Sequence, residues 1–153
     1  MTKDHTVLPA TVDYRQYDYC ELCSLFDEVF PDYEAVTFPS ETAPSDGSVV
    51  GGTIVYALED VEHENAYAAI IENFERHGVA KRRLATFSEM LAFSRRYPDL
   101  QRKYRIAVPG GLIVVDGDPC VPLLEGDGKK RVLSLVYSRD TSLHCDRILT
   151  VVL

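Results

Sequence analysis

Helix signals crowd the first two thirds of this chain and strand signals the last third, which predicts an α+β protein and not an alternating α/β one. Three observations carry that expectation. Asp18 with Glu21 and Thr86 with Glu89 form capping boxes, each in front of an apolar run. Ala66, Tyr67, Ile70, Ile71 and Phe74 recur at intervals of three and four, the stripe of an amphipathic helix. Beyond Lys103 the chain carries only short apolar runs, separated by Pro-Gly-Gly, Asp-Gly-Asp-Pro and Glu-Gly-Asp-Gly turns.

Taken in order, the Asp18 cap starts a helix that buries Leu22, Leu25, Phe26 and Val29 and stops before Pro31. A strand is expected around Ala35 to Phe38. Ser40 to Ser48 has loop composition throughout and predicts a mobile surface excursion. Gly51 to Leu58 reads as a central strand, since Ile54, Val55, Tyr56 and Ala57 are nearly all apolar. Asp60 caps the second helix, with Glu62 and Glu64 in its first turn and Arg76, His77 and Gly78 at its end. Thr86 starts the third helix, with Phe87, Met90, Leu91 and Phe93 inward, and Pro98 stops it. Five strands follow: Tyr104 to Val108, Leu112 to Val115, Val121 to Leu124, Leu133 to Val136 and Ile148 to Val152.

With 153 residues, 46% of them hydrophobic, the chain is read as one globular domain over residues 1–153. A net charge of −8 argues against nucleic acid as a partner, because that affinity comes from Lys and Arg releasing counterions. The basic cluster Lys81, Arg82, Arg83 is too short to reverse this and reads as a solvated edge. There is no apolar run long enough to cross a bilayer, and the first residues lack the apolar centre of a signal peptide, so a cytoplasmic protein without membrane insertion is expected. Four cysteines over this length are too sparse for a disulfide scaffold.

The stretch Arg131 to Val152 is the least regular in chemistry. Leu133 and Leu135 alternate with Val132, Ser134 and Val136, and Ile148, Leu149, Val151 and Val152 form a second apolar run. Between them, Tyr137, Ser138, Arg139, Asp140, Thr141, Ser142, Leu143, His144, Cys145 and Asp146 fit neither a helical stripe, a strand nor a compact turn.

A strand (G-T-I-V-Y-A-L), a helix, a Leu-Ala-Thr link and a second capped helix are similar to the first half of the C-type lectin fold. More specifically, L-A-T-F-S-E-M-L-A-F-S-R-R-Y-P-D-L-Q-R-K-Y-R-I-A-V, then C-V-P-L-L, R-x-L-x-L and R-I-L-T-V resemble a family of small variable proteins. These are targets of diversity-generating retroelements in archaea, archaeal viruses and tiny-genome bacteria. The likeness covers about residues 50 to 152. It implies a C-type-lectin-like fold, with two or three helices and a short-stranded, mostly antiparallel sheet. Residues 1–48 are then an amino-terminal extension of that fold, and 120–146 a candidate variable region.

In that family an error-prone copy made at template adenines rewrites the end of the gene. Mutated Asn codons cannot yield Lys, Glu, Gln, Met or Trp. None of those five occurs at Val132, Ser134 or Val136 to Asp146, an absence expected by chance about one time in twenty. The family often keeps Trp here, where this chain has Tyr137 and Ser142. The resemblance implies a non-enzymatic, cofactor-free binding protein for a variable, protein-type ligand. Its contact residues would be Val132, Ser134 and Val136 to Asp146, with Cys120 and Leu123 on the same face. Tyr137, Arg139, Leu143 and His144 are the strongest contact candidates, because Tyr and Arg concentrate interface energy.

Other chemistries are weaker in the sequence. Cys20-Glu-Leu-Cys23 with His144-Cys145 is a ligand set of the right type for zinc, and is the basis of an alternative reading as a zinc-binding protein or small lectin-fold enzyme. Asp116-Gly-Asp118 and Glu125-Gly-Asp127-Gly lack a calcium-loop pattern and read as hairpin turns. His5, His63, His77 and His144 are scattered, and no Ser or Cys sits in a nucleophile elbow.

Overall fold

Among the described residues, ten strands and three bounded helices build an α+β molecule around one mostly antiparallel open sheet. The computed structural model describes residues 8–30, 36–61, 71–72, 74, 82–138 and 145–153. In chain order these are β1 (Leu8–Thr11), α1 (Tyr19–Leu25), β2 (Glu28–Phe30), β3 (Val36–Thr37), β4 (Thr53–Asp60) and β5 (Arg82–Leu84). Next come α2 (Phe87–Arg96), α3 (Leu100–Lys103), β6 (Ile106–Ala107), β7 (Ile113–Val115), β8 (Asp118–Asp127), β9 (Lys130–Tyr137) and β10 (Arg147–Val152). Ile71, Glu72 and Phe74 are helical, but Asp60, expected as the cap of that helix, is the last residue of β4 and pairs with Arg147; 62–70, 73 and 75–81 lie outside the described residues.

The strand order is β1-β4-β10-β6-β8-β7-β3, with β5 also on β10, and with β9 on β8 and β2 on β9. Among the described residues only β10–β6 and β2–β9 pair in parallel. The β7–β8 hairpin closes through Asp116 and Gly117, both at positive φ (52° and 83°), the two-residue turn whose twist matches that of the strands. The edge of β1 is blunted. Pro9 has no N–H to offer, and its carbonyl already accepts the Tyr97 hydroxyl at 2.6 Å.

Side chains of the sheet sort to two faces. The first carries the main core: Ile54, Tyr56, Leu58, Ile106, Leu124, Leu133, Leu135, Leu149 and Val151 pack with Leu22 of α1 and Phe87, Met90, Leu91 and Phe93 of α2. The second carries a smaller buried cluster of Ala107, Val121, Leu123, Cys145 and Ile148. Leu8, Val12, Tyr17, Phe26 and Phe38 also belong to the main core, so the described part of the amino-terminal third is integral to the fold.

The third predicted helix forms as expected, with Thr86 and Glu89 capping each other's backbone. Glu89 is fully buried, and the Arg83 guanidinium forks onto both of its oxygens at 2.8 and 2.7 Å. The Tyr14 hydroxyl donates to the same carboxylate at 2.5 Å. Arg83 also reaches Asp46 at 2.8 Å and Ser48 Oγ at 2.8 Å. This overturns two expectations. The Ser40–Ser48 segment is pinned through Asp46, Ser48 and Glu41, which accepts the Ser88 amide at 2.8 Å, so it is not a free excursion. Arg82 and Arg83 are no solvated edge either: they lie in β5 and pair with Glu59 and Glu89, while Lys81 lies outside the described residues.

The first helix is shorter than its apolar spacing suggested. Phe26 turns extended (φ −111°, ψ 150°) as the C-cap, and Val29 enters β2 beside Leu133. Asp27 donates its amide to the Arg131 carbonyl at 2.9 Å and accepts the Arg131 amide on Oδ2 at 2.7 Å, fastening that switch. Strands β1, β2 and β5 and the short helix α3 were not expected, and β8 and β9 run longer than predicted.

Candidate functional site

The β8–β9 hairpin decides what the irregular stretch can present. Its register pairs Cys120 with Tyr137, Leu123 with Ser134 and Glu125 with Val132. Leu133 and Leu135 therefore point into the main core, while Val132, Ser134 and Val136 point to the second face. There Glu28, Glu125, Gly126, Asp127, Val132 and Ser134 line an open cleft of about 340 Å³. The Ser134 hydroxyl donates to Glu125 Oε2, and Arg105 meets Oε1 at 3.0 Å. Lys130 stands 3.8 Å from Glu28.

Both approaches to the irregular stretch are anchored. Ser138 donates its amide to the Pro119 carbonyl at 3.1 Å, continuing the hairpin one residue past β9. At the far end Asp146 donates to the Arg105 carbonyl at 2.7 Å and accepts the Arg105 amide on Oδ2 at 3.0 Å. Arg139, Asp140, Thr141, Ser142, Leu143 and His144 lie between these anchors, outside the described residues.

Several candidate contact residues are displaced by this geometry. Cys120 and Leu123 are each 1% exposed and Cys145 6%, so none offers its side chain to a ligand, and Val132, 8% exposed, shows only a small part of its side chain at the cleft. Cys120 faces the main core, opposite to Leu123. Tyr137 shares the parity of Leu133 and packs half-buried against that core, and not with Ser134 and Val136. Asp146 is exposed but is committed to Arg105. What remains accessible among the described candidates is Ser134, Val136, Ser138 and the outer part of Tyr137.

Sequence reasoning missed Glu28 at the cleft and took Glu125, Gly126 and Asp127 only as part of a turn. The signal was available: once Gly128 and Lys129 are taken as a two-residue turn, counting back pairs Glu125 with Val132. A second cleft, of about 450 Å³, lies apart from the hairpin between Pro9, Ala10, Thr11, Thr53, Ala92, Arg95 and Arg96.

The zinc set Cys20, Cys23, His144, Cys145 is not brought together as a unit. Cys145 is buried in the second-face cluster, whereas α1 packs Leu22 into the main core on the opposite face. Burial pushes the Cys145 thiol up to about 11, which disfavours its thiolate at neutral pH. His144, like His5, His63 and His77, lies outside the described residues. Among the described residues no three His, Cys, Asp or Glu side chains converge as a metal would need, and no helix is long and apolar enough to cross a membrane.

The fold and cleft define an α+β protein with an open, mostly antiparallel sheet and an accessible hairpin face. No protein-family model, curated protein or solved structure matches this chain.

Proposed function

We propose that this chain is a non-enzymatic binding module of C-type-lectin-like fold, the target of a diversity-generating retroelement. In this reading the ligand is a protein, and it is met by the segment from Val136 to His144 together with Ser134 and the cleft beside it. The observation that carries the reading is the division within β9. Leu133 and Leu135 hold the main core, the alternating Ser134 and Val136 point to the second face, and Ser138 and Asp146, on either side of positions 139–144 in the sequence, are each anchored by a backbone bond. Such a frame tolerates change in what it holds, because substitutions away from core packing usually move stability by under about 0.5 kcal/mol. A rigid frame presenting exchangeable side chains is also how antibody loops achieve recognition.

The burial of Cys120, Leu123, Val132 and Cys145, with the commitment of Asp146 to Arg105, narrows the proposed variable set to Ser134, Val136, Tyr137, Ser138 and Arg139 to His144. The test is a set of variants carrying unrelated residues at 138–144, with Val136 and Tyr137 kept because they pack against the two buried clusters. Their melting temperatures should stay within about 4 °C of the parent, the shift that 1 kcal/mol produces at this size. A loss of cooperative unfolding across the set would overturn the reading. DNA sequencing around the gene supplies an independent check: a reverse transcriptase gene and a near-copy of the hairpin-coding segment, differing at adenines, are expected.

A further inference from the structure

Free cysteine is among the most buried residue types, and two of the four here follow that rule: Cys120 and Cys145 are buried. Cys20 and Cys23 break it. Both are exposed free thiols on α1, three residues apart and therefore on one helix face. The helix is held by its capping box, Asp18 accepting the Glu21 amide and Glu21 accepting the Asp18 amide, and Leu22 fixes its other side in the core.

The carboxylates around this pair already have partners. Asp18 is the cap, Glu21 takes the Arg15 guanidinium on both oxygens, and Asp27 accepts the Arg131 amide. What the face offers is two sulfurs. Neighbouring side chains one turn apart have Cβ atoms about 5–6 Å apart. Two thiolates on one tetrahedral zinc, each at about 2.3 Å, stand about 3.8 Å from each other, a distance both can reach by leaning inward. Soft thiolates select zinc over magnesium or calcium. A structural zinc site needs four ligands, and among the described residues no third one joins this pair.

We propose that Cys20 and Cys23 are half of a tetrathiolate zinc site, completed by the same pair of a second copy of this chain. A two-fold axis through the metal uses one surface patch twice, the usual way a homodimer closes. On binding, four Zn–S bonds form and the four thiols release their protons to solvent. The site is separate from the β9 face, so it stands or falls independently of the proposed ligand binding.

The test uses the full chain, fully reduced, titrated with zinc chloride while mass is followed by sedimentation. One zinc per two chains, a doubling of mass and its reversal by a chelator are expected. Cobalt in place of zinc should give the intense visible bands of a tetrahedral thiolate site. Cys20→Ser/Cys23→Ser should lose metal and dimer together while keeping the parent melting temperature without metal, because both thiols are exposed. Absence of binding, binding undiminished in the double variant, or one zinc held by a monomer would each overturn the proposal.

Discussion

Glu89 shows how much one side chain can coordinate here. Burial alone would raise its pKa, but the Arg83 fork, the Tyr14 hydroxyl and the Thr86 amide outweigh it and hold the carboxyl below its ordinary value. A depressed folded-state pKa means the stabilisation is complete above the unfolded carboxylate range, about pH 4.3, and is lost as pH falls through the folded value. Urea midpoints should therefore be insensitive to this group near neutrality and drop on the acid side. Glu89→Gln should destabilise by about 1–3 kcal/mol at pH 7, since Arg83 loses its bidentate partner and keeps only Asp46 and Ser48, and should flatten that acid limb. The β9 alternation supplies a second comparison. Leu133→Ala should cost about 2–5 kcal/mol in chemical denaturation and Ser138→Ala within about 0.5 kcal/mol, although the two lie five positions apart. Equal costs would mean that core and face are not separated as described.

Elements were legible where local signals agree with tertiary demands. The Thr86–Glu89 box, the inward Phe87, Met90, Leu91 and Phe93, and the stop at Pro98 predicted α2 because cap, stripe and breaker all lie within the helix itself. β2 and β5 carry no such signal. A three-residue strand has no period to read, and β2 exists because β9, about a hundred positions away, holds it through Asp27 and Arg131. Val29 kept helical spacing with Leu22 and Leu25, which hid the switch to a strand. In the site, the in-and-out pattern of β9 was readable, but the burial of Cys120 and Leu123 was not taken from Cys120 to Leu124, an apolar run continuous on both faces. The hairpin's contact with α3 makes a further prediction. A Cβ on Gly126 would sit 2.7 Å from Arg102 Cα, a backbone atom that cannot swing away. Gly126→Ala should cost about 1–3 kcal/mol in thermal or chemical denaturation and loosen the cleft floor.

Across the whole molecule, β10 is the strand that joins separate parts of the sheet. It pairs β4 along one side, and β5 and β6 along the other, with Thr150 donating to the Ala57 carbonyl at 2.9 Å in the buried interior. Removal of residues 147–153 should abolish cooperative unfolding, because β4 and β6 would lose their shared neighbour. Native-state hydrogen exchange should accordingly be slowest at the centre of the β4–β10 ladder and fastest at β3.

The same strand sets an order of events during synthesis. β1, β4 and β5 are made well before the partner that completes their sheet, with Ala57 and Thr150 separated by 93 positions. A nascent chain paused before Arg147 carries an incomplete sheet with the apolar strand β4 lacking its inner neighbour, so this fold is finished only after the last ladder strand has left the ribosome.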